Sequence, residues 1–124
     1  MNDTPAYRKV AADDQDSERS ICGFRQRLFR KEDDSPASLT RLRTDQAQPH
    51  WHRHTHEYYF ILAGTGFLRI DGEEVPVQPG DCLWIRPGHV HQAVGNLETL
   101  IVGVPPFDYD DVILEATEKP TASS

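Results

Sequence analysis

Apolar and polar positions alternate along most of this chain in short runs of period two, and the runs are punctuated by Gly, Pro, Asn and Asp. Candidate strands fall at 23–29, 37–43, 48–54, 57–63, 66–70, 73–77, 82–86, 90–94 and 97–104. The turn signals between them are Gly64-Thr65-Gly66, Asp71-Gly72, Gln78-Pro79-Gly80-Asp81 and Arg86-Pro87-Gly88. Asp71-Gly72 is a favoured two-residue hairpin loop, because both of its residues reach positive φ at low cost. Strands at this spacing predict an all-β sandwich or barrel. One stretch departs from the pattern: 106–117 suits a short helix, with Asp108 as N-cap and Val112, Ile113 and Ala116 on one face.

The ends carry little that could be buried. Residues 1–20 are rich in Asp, Glu, Ser and Ala and read as a flexible acidic tail, or as an arm that docks on something else. Residues 118–124 read as a disordered C-terminal tail, which leaves 21–117 as one domain. Within it, the basic and aromatic run 21–30 is expected to add a strand to the sheet of its own chain or of a partner. A small barrel with open sheet edges is expected to pair as a homodimer.

A formal net charge of -7 disfavours nucleic acid, which calls for clustered Lys and Arg. No run approaches the roughly 18 apolar residues of a membrane span, and the first residues lack the basic-then-apolar profile of a signal peptide. Cys22 and Cys82 lie far apart with no C-x-x-C spacing, which suits a reducing compartment. The expectation is a cytoplasmic protein whose partner is a small molecule or a second copy.

Candidate chemistry concentrates in 49-PHWHRHTHEYYFILAGTG-66. An unbroken strand would put His50, His52, His54 and His56 on one face and turn Glu57 away from them. A bend at Arg53 to His56 resolves this by returning Glu57 beside His50 and His52. His91, in the strand that follows Arg86-Pro87-Gly88, supplies a fourth ligand. A competing register would use His52 and His54 as the pair. His54, His56 and His89 otherwise read as turn or mouth residues, and Trp51 and Arg53 as packing or dimer-face residues. Tyr58, Tyr59 and Phe60 read chiefly as core and sheet packing. Arg41, Arg43, Arg69 and Arg86 read as surface charges, any one of which, turned inward, would suit a carboxylate-bearing ligand.

The run His50-x-His52-x-x-x-x-Glu57-x-x-x-x-x-x-Gly64, followed by Gly80-x-x-x-x-x-x-Pro87-Gly88-x-x-His91-x-x-x-x-Asn96, resembles the two signature motifs of the cupin superfamily. The resemblance covers residues 36–107. It implies a jelly-roll barrel, the double-stranded β-helix of small single-domain cupins, with a short helical or irregular C-terminal segment. Position by position it carries the family's metal ligands onto His50, His52, Glu57 and His91, and the His52/His54 register leaves too few residues before Glu57 for that pattern. Arg86, where the family has proline, and the placing of Asn96 depart from it away from the ligands. Phe107 is expected to cover one end of the barrel.

Three imidazoles and one carboxylate suit a divalent transition metal: Fe, Mn, Ni, Co, Cu or Zn. An octahedral ion so held keeps two open positions for substrate or O₂. The resemblance therefore implies a metal-dependent enzyme of dioxygenase, isomerase, cyclase or lyase type acting on a small oxygenated molecule, with Glu57 doubling as catalytic base. The alternative is a barrel that binds or senses a small molecule with the metal's help and without turnover. A purely structural storage barrel would be expected to lack the ligands.

Overall fold

The computed structural model describes residues 4–121, and no α-helix occurs among them. The strands are β1 (Glu18–Ser20), β2 (Gly23–Phe29), β3 (Ser38–Thr44), β4 (His50–Trp51), β5 (His56–Ile70), β6 (Glu73–Val77), β7 (Cys82–Ile85), β8 (His91–Val104) and β9 (Ile113–Leu114). They form one curled antiparallel sheet in the order β1-β2-β3-β8-β4-β9, with β5 joined to β6, β7 and β8. This is the all-β barrel expected of the sequence. The long strands β5 and β8 pair along almost their whole length, from His56 opposite Val104 to Ile70 opposite His91.

Alternation decides what faces inward. Along β5, Glu57, Tyr59 and Ile61 are buried while Tyr58, Phe60 and Leu62 face out, as a pleated strand requires. Ile61, Leu68, Val77, Ile85, Ala93 and Leu97 form the core with Tyr59. Ile61, Leu68 and Leu97 are fully enclosed, and burial of each contributes roughly 2 kcal/mol. Tyr59, a member of this core, also lines the cavity that contains His50.

The hairpin at Asp71-Gly72 forms as its dipeptide suggests, with both residues at positive φ. Gly64-Thr65-Gly66 is no turn. The two expected strands 57–63 and 66–70 are one, because the glycines let β5 pass close against β8. A Cβ on Gly64 would sit 1.8 Å from the Asn96 carbonyl oxygen, and one on Gly66 would sit 2.2 Å from that of Val94. The expected strands 90–94 and 97–104 merge into β8 for the same reason, with Gly95 at the crossing.

The C-terminal segment is irregular rather than helical. Asp108 caps only a single 3-10 turn at Tyr109–Asp111 before the chain re-enters the sheet as β9, because pairing with β4 wins over local helical pattern. The run 21–30 adds to its own chain's sheet through β2 and β3. Within the stretch expected as an acidic tail, a 3-10 turn forms at Ala12–Asp14 and β1 pairs with β2, while Asp13 pairs with Arg41. Glu118, in the other expected tail, is held by Trp51 and Arg53. The outermost parts of both tails, 1–3 and 122–124, lie outside the described residues.

Candidate metal centre

The bend that the histidine row demanded is present, and one acid makes it. Asp111, the buried last residue of the 3-10 turn, accepts backbone N–H bonds from Arg53 at 2.7 Å, His54 at 3.0 Å and Thr55 at 3.1 Å. Those donors would otherwise be unpaired at the point where β4 ends and β5 begins. The bend ejects His54 to the surface and returns Glu57 to the interior face.

His50, His52, Glu57 and His91 consequently offer ligand atoms that all lie within 4.8 Å of one another, and each residue is at least 95% buried. His50 and His91 are register partners across β4 and β8. The other histidines stand apart: His56 accepts from the Trp84 indole N–H at 3.1 Å, and His89 pairs with Asp71 at the surface.

The three imidazoles share one orientation. Each Nδ1 lies at a backbone carbonyl: His50 at Gln48, 3.0 Å, His52 at Asp111, 2.9 Å, and His91 at His89, 2.9 Å. A carbonyl oxygen can only accept, so Nδ1 carries the proton and each Nε2 lone pair is left for the cluster. Two of those nitrogens meet the same carboxylate oxygen, Glu57 Oε1, at 2.8 Å from His91 and 2.9 Å from His52. The His52 contact is close but off-line for a hydrogen bond, which leaves a buried nitrogen without a hydrogen-bond partner. Such a convergence of lone pairs on an anionic oxygen asks for a positive charge among them. The donor set fits a divalent transition metal.

The electrostatics agree. Burial, helped by His91, pushes His50 down to about 3, so it stays neutral. Burial alone would raise the Glu57 carboxyl, but His52 and His91 outweigh it and hold the acid well below the usual carboxylate range. His52 is raised: burial opposes its charge, and the Glu57 carboxylate overcomes that.

Beside the cluster lies a cavity of about 60 Å³, lined by His50, Glu57, Tyr59, Cys22, Arg25 and Phe107 among others. That is room for roughly five waters, or a small organic molecule. Phe107 sits edge-on to His52 at 6.1 Å and lines this cavity. Trp51 is buried as packing, with Arg53 over its ring. None of the four arginines singled out as possible inward charges lines the cavity; Arg25 does. Asp111 and Arg25 were missed in the sequence. Asp111 gave no local signal, while the alternation Gly23-x-Arg25-x-Arg27 puts both arginines on one strand face and could have revealed Arg25.

A family profile described as the cupin domain matches residues 42–102. An uncharacterized protein of Methanocaldococcus jannaschii is 37% identical over 71 residues, which span 53% of this chain and 57% of that relative. The chain thus aligns with little more than half the length of this relative. Among solved structures, a protein from Planctomyces limnophilus superposes with a TM-score of 0.84 at 23% identity, covering 90% of this chain and 98% of that one. The Streptomyces nucleoside dehydratase Pac13 superposes with a TM-score of 0.75 at 16% identity, covering 94% of this chain and 100% of that one. At these identities the structural likenesses are of fold. By its barrel, its matched domain profile and its paired motifs, the chain belongs to the cupin superfamily.

Proposed function

We propose that His50, His52, Glu57 and His91 hold a divalent transition metal, one of Fe, Mn, Ni, Co, Cu or Zn. In this reading the protein is an enzyme acting on a small oxygenated organic molecule, with chemistry of dioxygenase, isomerase, cyclase or lyase type. The observation that carries the proposal is the convergence of three Nε2 lone pairs and one carboxylate oxygen beside a cavity. A metal so bound would polarise a carbonyl, enediol or carboxylate and acidify a bound water.

The chain's own groups do the rest. The carbonyls of Gln48, Asp111 and His89 fix the imidazole planes, and such outer partners are as much a part of a metal site as its ligands. Glu57, ionised and lining the cavity, is placed to take a proton from the substrate. Burial and the nearby Glu57 charge push the Tyr59 phenol well up, so it stays protonated as a donor facing the same space. Leu42, Ile101 and Phe107 restrict water. The likeness to a nucleoside dehydratase supports the lyase branch.

One observation favours the alternative, a barrel that binds a small molecule without turnover. Glu57 Oε1 lies within the cluster, 2.8 Å from His91 Nε2 and 2.9 Å from His52 Nε2, so as a metal ligand that oxygen is occupied and not free to act as a base. The readings part in one experiment: Mn(II)-loaded protein, with water proton relaxation and dioxygen uptake followed across enediols, catechols and β-dicarbonyls. Turnover of one of them, lost in Glu57→Gln, supports the enzyme. A site without exchangeable water contradicts it.

We place the protein in the cytoplasm on its two free thiols. No helix among the described residues is long and apolar enough to cross a membrane. The proposed homodimer uses the outer face of β5 and β7, where Tyr58, Phe60, Leu62 and Trp84 are exposed side by side. Sedimentation at micromolar concentration tests it: a dimer that Trp84→Asp dissociates is expected, and a monomeric wild type contradicts it.

A further inference from the structure

The interior face of β2 carries two arginines, and only one of them is satisfied. Arg27 makes a bidentate pair with Glu18, at 2.8 and 3.0 Å. Arg25, two residues earlier on the same face, has no hydrogen bond or ion pair to any described residue; its one close partner is the Phe107 ring, 5.7 Å from Cζ. Its Nε is buried and unpartnered. A strand places a half-buried guanidinium inside a barrel at a cost in desolvation, and leaving one of its donors unpaired raises that cost. Arg25 lines the cavity that also contains His50 and Glu57, and Thr40, whose hydroxyl makes no side-chain hydrogen bond to a described residue, lines it beside Arg25.

Charge in the cavity points the same way. Among its lining residues Glu57 is the only acid and Arg25 the only permanent cation. A divalent ion against one carboxylate leaves a positive charge, and Arg25 adds another. This pocket in an acidic protein is therefore electropositive when loaded.

We propose that Arg25 binds a carboxylate of the substrate, so that the substrate is a small acid presenting its metal-binding oxygens at one end and a separate carboxylate at the other. The planar fork of an arginine matches a carboxylate in two parallel hydrogen bonds. This deepens the reading of His50, His52, Glu57 and His91 as a metal centre and rests on it.

The test uses two 2-hydroxy acids that differ by one carboxylate: lactate, which can offer only the chelating end, and malate, which carries the second acid. Each is titrated calorimetrically into Mn(II)-loaded wild type, Arg25→Gln and Arg25→Lys, with manganese content measured on every sample. Loss of Arg25 is expected to weaken malate by about tenfold or more while lactate changes by less than about twofold. Arg25→Lys should recover part of the loss, and manganese content should be unaltered, which also reports that the barrel has folded. Wild type that binds malate no more tightly than lactate overturns the proposal. So does Arg25→Gln that weakens both acids equally, or neither. Wild type that takes up no manganese contradicts the metal reading instead. The same comparison on metal-free protein then decides Arg25: selective loss of malate supports it, and no selective loss overturns it.

Discussion

Asp111 should be the residue outside the proposed ligand set whose replacement damages the site most. Its carboxylate accepts three backbone N–H bonds from consecutive residues, and its carbonyl accepts the His52 Nδ1 proton. Asp111→Asn keeps the shape and removes the charge. The amide oxygen can still serve His54 and Thr55, but the amino group then faces the Arg53 N–H, donor against donor. One bond to a charged acceptor is lost and two are weakened, which sums to about 2–4 kcal/mol when such bonds contribute about 1.5–3 kcal/mol each. For a chain of this length that lowers Tm by roughly 10 °C. Metal affinity should fall by about 10- to 100-fold, as when outer-shell partners of other sites are removed. Urea unfolding of the metal-free variant and chelator competition of the loaded one read the two effects separately. Stability within about 0.5 kcal/mol of wild type, together with unchanged metal affinity, would refute the assignment of Asp111 as the bend's anchor.

Two further outcomes follow from the packing. Gly64→Ala, which drives a Cβ to 1.8 Å from the Asn96 oxygen at φ +93°, should cost about 3 kcal/mol or more, whereas Gly72→Ala, with nothing within 4 Å, should cost only about 1–2 kcal/mol; thermal unfolding of the pair checks the contrast. At pH 8 a thiol reagent should label exposed Cys82 quickly and Cys22 slowly, because burial first, and the Glu57 charge second, keep Cys22 protonated. Labelling of both at one rate contradicts the placement of Cys22.

The clustering of His50, His52, Glu57 and His91 was legible from short-range rules together with the motif resemblance. Period-two parity allows His50 with His52 or His52 with His54, the spacing of the cupin motifs selects the first pair, Glu57 needs a bend to join it, and a Pro-Gly turn sets the depth of His91. The supporting shell was not legible. Asp111 lies 54 positions along the chain from Glu57, in a stretch whose local pattern reads as helix, and only tertiary pairing of β9 with β4 places it. Gly64 and Gly66 were read as a turn because the sequence does not distinguish a glycine needed for positive φ in a loop from one needed for close strand approach. Arg25 broke the rule that charges avoid inward strand positions. A cavity, unlike a core, accommodates that exception.

Metal content of protein purified without added metal, measured on wild type and on His52→Ala and His91→Ala, tests the central claim most directly. About one transition-metal ion per chain is expected in wild type, and a small fraction of that in either variant while both remain folded. Wild type that holds none even after incubation with Fe(II), Mn(II) or Zn(II), or variants that retain the full amount, would contradict the account.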